Sequence, residues 1–168
     1  IKAVEAVNCP GPVETWRRVR EEIRQDILGK GYDPDMGAFV QSYGSKALDA
    51  SVLMLPLVGF IKAADPRMRS TIEKIAAELT SPQGLVYRYR DLDDGLQGSE
   101  GTFSICTFWL VDNLILLGEI DRASDLLEKL RGSANDLGLF SEQIDAETGE
   151  MLGNFPQAFT HMALISTV

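Results

Sequence analysis

The feature that most constrains the fold is an alternation between two kinds of helical segment. Segments of the first kind carry apolar residues at helical spacing among many charges, as in Pro12 to Gly29, Asp65 to Leu79 and Asp121 to about Asn135. Segments of the second kind are apolar nearly all round, as in about Ala47 to Ala64 and about Thr102 to Gly118. An amphipathic helix keeps one face in water, whereas a helix that is apolar all round is buried. The pattern predicts an all-α fold with outer and inner helices.

Three long polar loops connect each outer segment to the inner segment that follows. They span Gly31 to Lys46, Ser81 to Gly101 and Gly138 to Asn154, and the last leads into an apolar segment from Phe155 to Val168. Because all three run from the outer to the inner layer, we expect them to gather at one end of the molecule. Long ordered loops on one face are where binding and catalysis concentrate. No segment is rich in strand signals, and residues 84–89 are expected to pair only briefly.

Composition narrows the class of protein. A chain of 168 residues with 45% hydrophobic content can bury a core, so we expect one domain over residues 1–168. The net charge of −9, without a basic block, argues against a nucleic-acid partner. Cys9 and Cys106 form no CxxC motif, which favours a reduced, cytoplasmic setting without disulfides or a thiolate metal site. No apolar run reaches the roughly 18 residues that span a bilayer, so no membrane partner is expected.

The loops carry side chains of the kinds that bind sugars. Sugar hydroxyls are bound by amides, carboxylates and guanidinium groups, while the C–H faces of a sugar ring stack on aromatic rings. No cofactor or metal is indicated. The candidate residues are Gln41 and Tyr43 in the first loop, Arg88, Tyr89, Glu100, Thr102 and Phe103 in the second, and Glu142 in the third.

Short motifs surround these candidates, and they occur in one order over nearly the whole chain. They are Gln41-Ser42-Tyr43-Gly44-Ser45, Tyr87-Arg88-Tyr89, Glu100-Gly101-Thr102-Phe103 and Ser141-Glu142-Gln143, with Pro156-Gln157-Ala158-Phe159 following. Together they resemble bacterial members of glycoside hydrolase family 15, which are glucoamylases, glucodextranases and trehalase-like enzymes. The resemblance implies an (α/α)6 toroid of twelve helices, of which this chain has room for about half. It also implies an inverting exo-hydrolase that releases glucose from α-glucosides such as maltooligosaccharides, isomaltose-type sugars or trehalose.

The resemblance implies a role for individual residues. Glu142, in the Ser-Glu-Gln motif, falls on the family's general base, which takes a proton from the attacking water. Arg88 falls on an arginine that holds hydroxyls of the sugar bound before the scissile bond. Glu100, Thr102 and Phe103 fall in the segment that shapes the same pocket.

One part of the family pattern is missing from this sequence. The general acid of the family lies in a Trp-Glu motif upstream of the region that corresponds to Ile1, and no such motif occurs here. We therefore expect the chain to be the C-terminal half of a catalytic domain and to be inactive alone. Half a toroid would expose inner apolar helices, so self-association or the missing N-terminal half is the expected partner.

Simpler interpretations remain open for the single residues. Glu142 is a solvated loop carboxylate in the simplest case, and Arg88 an ion-pair partner of nearby aspartates (Asp91, Asp93 or Asp94). Asp49 is better explained as a helix cap or a buried hydrogen-bond partner than as a catalytic group. His161 is better explained as a core or pocket-edge residue than as a metal ligand or base.

Two other functions also remain open for the whole chain. The first is a non-catalytic carbohydrate-binding or assembly module that derives from the same fold and has kept Arg88 and Tyr89. The second is a generic helical scaffold, which would leave the polar loop motifs unexplained.

Overall fold

Helices form the frame of the computed structural model, which describes residues 1–90 and 100–168. The predicted all-α class is confirmed, because each strand in the described residues is only two residues long. The helices are α1 (Lys2–Ala6), α2 (Val13–Lys30), a 3₁₀ helix (Ala50–Leu53), α3 (Met54–Leu57), α4 (Pro66–Glu78), α5 (Ser104–Leu116), α6 (Ile120–Arg131) and α7 (Ala158–Thr167). The strands are β1 (Tyr32–Asp33), β2 (Ala38–Phe39), β3 (Thr102–Phe103), β4 (Gln143–Ile144) and β5 (Met151–Leu152).

Helix α5 is the centre of the packing, as its apolar sequence predicts. It contacts α3, α4, α6 and α7. The one amide on this helix, Asn113, is fully buried and donates from Nδ2 to the carbonyl oxygens of Leu53 (2.9 Å) and Trp109 (2.8 Å). A buried polar group left without a partner would cost about 1–3 kcal/mol. The bond to Leu53 therefore fastens the 3₁₀ helix to α5.

The amphipathic segments that flank α5 also form as predicted. Helix α4 begins at Asp65, whose carboxylate accepts a hydrogen bond from the backbone N–H of Arg67 (3.0 Å), with Pro66 in the first turn. Met68 and Ile72 on its apolar side are fully buried. Helix α6 ends at Arg131, which is earlier than the predicted end near Asn135.

The apolar window from 47 to 64 does not form the single buried helix that was predicted. The chain is extended at Asp49, forms the 3₁₀ helix and then the short α3. Pro56 lacks the N–H that a longer helix would use, and Gly59 has a φ of +73°, in the left-handed region. The predicted burial of this window is only partly correct, since Leu53 is fully buried whereas Val58 is 66% exposed. Pro56 and Gly59 account for the interruption of the helix.

Helix α2 has the predicted extent but little burial. No residue of α2 is buried, and its apolar residues Trp16, Val19 and Ile23 are exposed. In the part of the chain that the structure describes, its apolar face is therefore largely uncovered. No helix among the described residues combines the length and apolar character needed to cross a bilayer.

A small antiparallel sheet brings the second and third loops together. Strand β4 lies between β3 and β5, with Thr102 opposite Ile144 and Gln143 opposite Leu152. The sheet adjoins a small core around Phe108, whose ring meets the ring of Phe140 edge to face with centroids 6.3 Å apart. The main core packs α4, α5 and the 3₁₀ helix together.

Candidate active site

Backbone hydrogen bonds join the 3₁₀ helix, the second loop, the start of α5 and the third loop in a row. Each bond connects residues that lie far apart in sequence. The bonds run from the N–H of Ala50 to the oxygen of Arg88 (2.7 Å), from Phe103 to Val86 (2.9 Å) and from Ser104 to Glu142 (3.0 Å). Since backbone bonds fix relative position, Arg88 and Glu142 belong to one connected array of loop backbones.

Asn154 holds the carboxylate of Glu142 by one oxygen. Glu142 Oε2 accepts hydrogen bonds from the backbone N–H of Asn154 (3.1 Å) and from its Nδ2 (2.9 Å). The backbone N–H of Glu142 in turn donates to the oxygen of Asn154 (3.0 Å). Glu142 is half-buried, so its side chain is both oriented and reachable from solvent.

A tight turn between β4 and β5 carries Asn154 to this position. Asp145 accepts hydrogen bonds at Oδ1 from the backbone N–H groups of Glu147 (2.9 Å) and Thr148 (2.7 Å). These donors hold the pKa of Asp145 below its usual range. Gly153 then takes a φ of +72° directly before Asn154.

Arg88 is paired with a buried carboxylate. Its Nε lies 3.7 Å from Oδ2 of Asp49, and its guanidinium carbon lies 5.7 Å from the centre of the Tyr89 ring. Asp49 is 5% exposed and accepts a hydrogen bond at Oδ1 from the backbone N–H of Ser51 (2.7 Å). Asp49 is thus a helix cap, as predicted, and also anchors Arg88. The alternative partners Asp91, Asp93 and Asp94 lie outside the described residues.

The two candidates in the first loop, Gln41 and Tyr43, lie in different places. Gln41 approaches the same aspartate as Arg88, with its Nε2 3.5 Å from Asp49 Oδ2. Tyr43 instead lies against α2, where its ring faces Lys30 at 5.8 Å and its hydroxyl interacts with Asp26. Partial desolvation and Asp26 together raise the pKa of Tyr43. The described contacts bring Gln41, but not Tyr43, to the vicinity of Arg88.

The remaining candidates of the second loop lie along β3 and just before it. Thr102 is fully buried, and its hydroxyl donates to the oxygen of Ile144 (2.9 Å). Phe103 is half-buried and packs against the main core. Glu100 is exposed at the start of this segment. Thr102 therefore serves the sheet, whereas Glu100 is open to solvent.

The remaining side chains that could take part in chemistry are His161 and the two cysteines. Both ring nitrogens of His161 are engaged, since Nδ1 lies 2.7 Å from the oxygen of Gln157 and Nε2 accepts from the N–H of Phe140 (3.3 Å). This places His161 at the edge of the core, as predicted. Both cysteines are free, and burial raises the pKa of Cys106. Within residues 1–90 and 100–168, no group of three His, Cys, Asp or Glu side chains could hold a metal ion.

The surface also has grooves that Arg88 and Glu142 do not line. One of about 850 Å³ is lined by residues of α2, of the turn after α3 and of α5, including Arg24, Phe60 and Leu116. Grooves of that size commonly bind small molecules, but this one has no carboxylate except Asp65, which already caps α4. We therefore base the site on the hydrogen-bonded loops and not on the size of a groove.

Sequence reasoning missed two residues that organise the site. Asp49 was predicted to be a helix cap or a buried hydrogen-bond partner but not the partner of Arg88, and Asn154 was included in the third loop without a role of its own. The available signal for Asn154 was its position directly after Gly153, because a glycine in that setting often marks a turn that redirects the chain.

Comparison with known proteins gives consistent results over the whole chain. The sequence model of the family described as "Glycosyl hydrolases family 15" matches residues 1–168. A trehalase of Mycolicibacterium smegmatis is 53% identical over 157 residues, which cover 92% of this chain and 23% of that protein. A trehalase of Thermoplasma volcanium is 43% identical over 165 residues, covering 98% of this chain and 26% of that protein. The chain thus spans about a quarter of the length of these relatives.

A solved structure shows the same fold. The structure of a wild-type glycosidase superposes with a TM-score of 0.66 at 25% sequence identity. The superposition covers 76% of this chain and 33% of that glycosidase.

Proposed function

Because the chain belongs to family 15 of the glycosyl hydrolases, we propose that it forms part of an inverting, exo-acting hydrolase that releases glucose from α-glucosides. In this proposal Glu142 is the general base, and the general acid is supplied by residues outside the 168 described by this sequence. Trehalose is the first substrate to test, since the similar proteins above are trehalases. Maltooligosaccharides and isomaltose-type sugars remain candidates.

The proposed step is a single displacement at the anomeric carbon. Glu142 takes a proton from a water molecule, whose oxygen forms a bond to the anomeric carbon as the bond to the leaving oxygen breaks. The acid protonates that leaving oxygen. In inverting enzymes the two carboxyl groups stand roughly 6.5–9.5 Å apart, which leaves space for the water.

Arg88 is proposed to bind hydroxyl groups of the glucose unit that is released. Its pairing with the buried Asp49 limits the freedom of the guanidinium, so less side-chain entropy is lost when a sugar binds. The Tyr89 ring beside it offers a surface for the sugar's C–H face. Gln41, close to the same aspartate, adds an amide to this group.

The observation that supports the proposal best is the row of backbone bonds that connects Arg88 with Glu142. The family resemblance assigns one residue to sugar binding and the other to catalysis, and the bonds put both in a single array. A base in a glycosidase must lie near the group that positions the sugar ring.

Glu142→Gln in the full-length protein tests the assignment of the base. We expect kcat on trehalose or maltose to fall by about 10²–10⁴-fold, because an amide cannot accept the water's proton. Glu147→Gln is the matched control, since Glu147 is exposed in the same loop. Near-normal turnover by Glu142→Gln would refute the base assignment. Inversion converts trehalose into one β-glucose and one α-glucose, so α-glucose as the sole first product, measured by NMR before mutarotation, would refute inversion.

The alternative, an assembly or carbohydrate-binding module, draws support from helix α7. Phe159, Met162 and Ile165 follow one another at near-helical spacing and are 62%, 62% and 77% exposed. Apolar groups in such an arrangement mark an interaction surface. We therefore expect the isolated 168-residue chain to self-associate in sedimentation experiments, and a monomer at all concentrations would contradict this. The cytoplasmic setting remains a prediction.

A further inference from the structure

We propose that Asn154 is a positioning residue, which selects the oxygen of Glu142 that acts as the base. This inference rests on the proposed role of Glu142. In this proposal Asn154 does not bind the substrate. It controls the orientation of the Glu142 carboxylate, which accepts the proton.

The two hydrogen bonds from Asn154 end on the same carboxylate oxygen. Both the backbone N–H (3.1 Å) and Nδ2 (2.9 Å) donate to Glu142 Oε2. Hydrogen bonds to an ionised group are roughly twice as strong as those between neutral groups, and two of them on one oxygen restrict rotation about the last side-chain bond. The carboxylate is consequently held with Oε2 turned toward Asn154.

The opposite oxygen is then left for the water. Among the described residues, the hydrogen bonds to the Glu142 side chain are those on Oε2, so Oε1 is the oxygen directed away from the clamp. A base must lie within about 2.6–3.2 Å of the proton that it takes. Fixing Oε2 therefore fixes where a proton can be accepted.

The backbone around Asn154 is built to keep this clamp in place. The N–H of Glu142 donates to the oxygen of Asn154 (3.0 Å), so the two residues are bonded in both directions. Gly153 precedes Asn154, and a Cβ there would lie 2.8 Å from Glu142 Oε2. The close approach of this backbone to the carboxylate thus depends on glycine.

Two substitutions of Asn154 in the full-length protein test the inference. Asn154→Ala removes the Nδ2 donor and keeps the backbone donor, so we expect kcat to fall about 10-fold with KM within about 2-fold. Asn154→Asp has the same shape but places a second carboxylate against Oε2, and we expect a fall of about 100-fold. Because Asn154 is exposed, both variants should fold, which thermal melting checks.

Asn135→Ala is the matched control. Asn135 is also a loop asparagine, but its side chain accepts from the backbone N–H groups of Leu137 (3.0 Å) and Leu139 (2.8 Å). We expect this variant to lower the melting temperature without changing kcat. An equal fall in kcat for Asn135→Ala and Asn154→Ala would show a general effect of loop stability and overturn the inference.

A double mutant separates positioning from a structural role. If Asn154 acts through Glu142, adding Asn154→Ala to Glu142→Gln causes no further loss of the residual turnover, whereas a structural role multiplies the two losses. Normal turnover by both Asn154 variants, with Glu142→Gln inactive, overturns this inference alone. Normal turnover by Glu142→Gln overturns the proposed base and the inference with it.

Discussion

Two glycines in the same hairpin offer a sharp test of the geometry around Glu142. Gly149 and Gly153 have nearly identical φ angles, +75° and +72°, so an alanine at either position adopts the same unfavourable conformation. Their surroundings differ. A Cβ at Gly149 would meet nothing within 4 Å, whereas a Cβ at Gly153 would lie 2.8 Å from Oε2 and 3.1 Å from Cβ of Glu142.

The conformational cost of alanine and the displacement of the Glu142 carboxylate can be estimated separately. The left-handed conformation costs alanine about 1–2 kcal/mol, and the stiffer unfolded chain returns about 0.4–1 kcal/mol, so each variant should lose about 1 kcal/mol of stability. Ordinary contact begins at 3.4 Å, so the Glu142 carboxylate must move by about 0.6 Å in Gly153→Ala alone. Since a misplacement of about 1 Å can reduce turnover about 10²-fold, we expect Gly153→Ala to lose about 10-fold in kcat.

Both variants should be made in the full-length protein and measured by thermal melting and by initial rates on trehalose or maltose. The expected result is a loss of melting temperature in both, at least as large in Gly153→Ala because of its contact with Glu142, and a loss of kcat confined to Gly153→Ala. Equal rates in the two variants would refute the argument, because it would mean that contact with Gly153 does not place Glu142. A much larger loss of stability in Gly149→Ala would refute the estimate of the conformational cost.

Three further predictions concern side chains outside the candidate site. Phe108→Ala should lose about 3–5 kcal/mol in denaturant unfolding, because Phe108 is fully buried against Phe140, whereas the exposed Leu116→Ala should stay within about 0.5 kcal/mol; equal losses would contradict this. Burial raises the pKa of Asp112, so its ionisation lowers the stability of the folded state as pH rises above about 3.9. Asp112→Asn should therefore have a higher melting temperature than the parent protein at pH 7 and lose that advantage at pH 3. A difference in melting temperature that does not change with pH would contradict the assignment. Cys106 is buried with a raised pKa, so iodoacetamide should modify it only after denaturation, whereas the exposed Cys9 should be labelled in the native protein. Peptide mass spectrometry separates the two sites, and labelling of Cys106 in the native protein would contradict its burial.

Apolar spacing predicted α2 and α4 to within about two residues at each end, although only α4 is well buried. Helix α5 was predicted from a segment that is apolar nearly all round, which indicates a buried helix. The prediction of a single helix over residues 47–64 was wrong, because the composition of a segment indicates burial but does not determine the path of its backbone. Pro56 and Gly59 decide that path, and each can also occur within a longer helix.

The sequence motifs nominate Arg88 and Glu142 as members of the candidate site, and this assignment stays a prediction. Their contacts could not be predicted in the same way: the partner of Arg88 was sought among nearby aspartates, and the structure pairs it with Asp49. That contact depends on how distant loops meet. Tyr43 shows the same limit, because only the fold reveals that its neighbours are on α2.

The row of backbone bonds at the site also bears on the order in which the protein folds. The helices form from contacts a few residues apart, but the backbone bonds from Ala50 to Arg88 and from Ser104 to Glu142 each close a span of 38 residues. Closing such spans has an entropic cost, which is met only after the helices have packed. We therefore expect the second and third polar loops to acquire protection from hydrogen exchange later than α4 and α5. A partly folded chain could thus have most of its helical circular dichroism and still lack a working site.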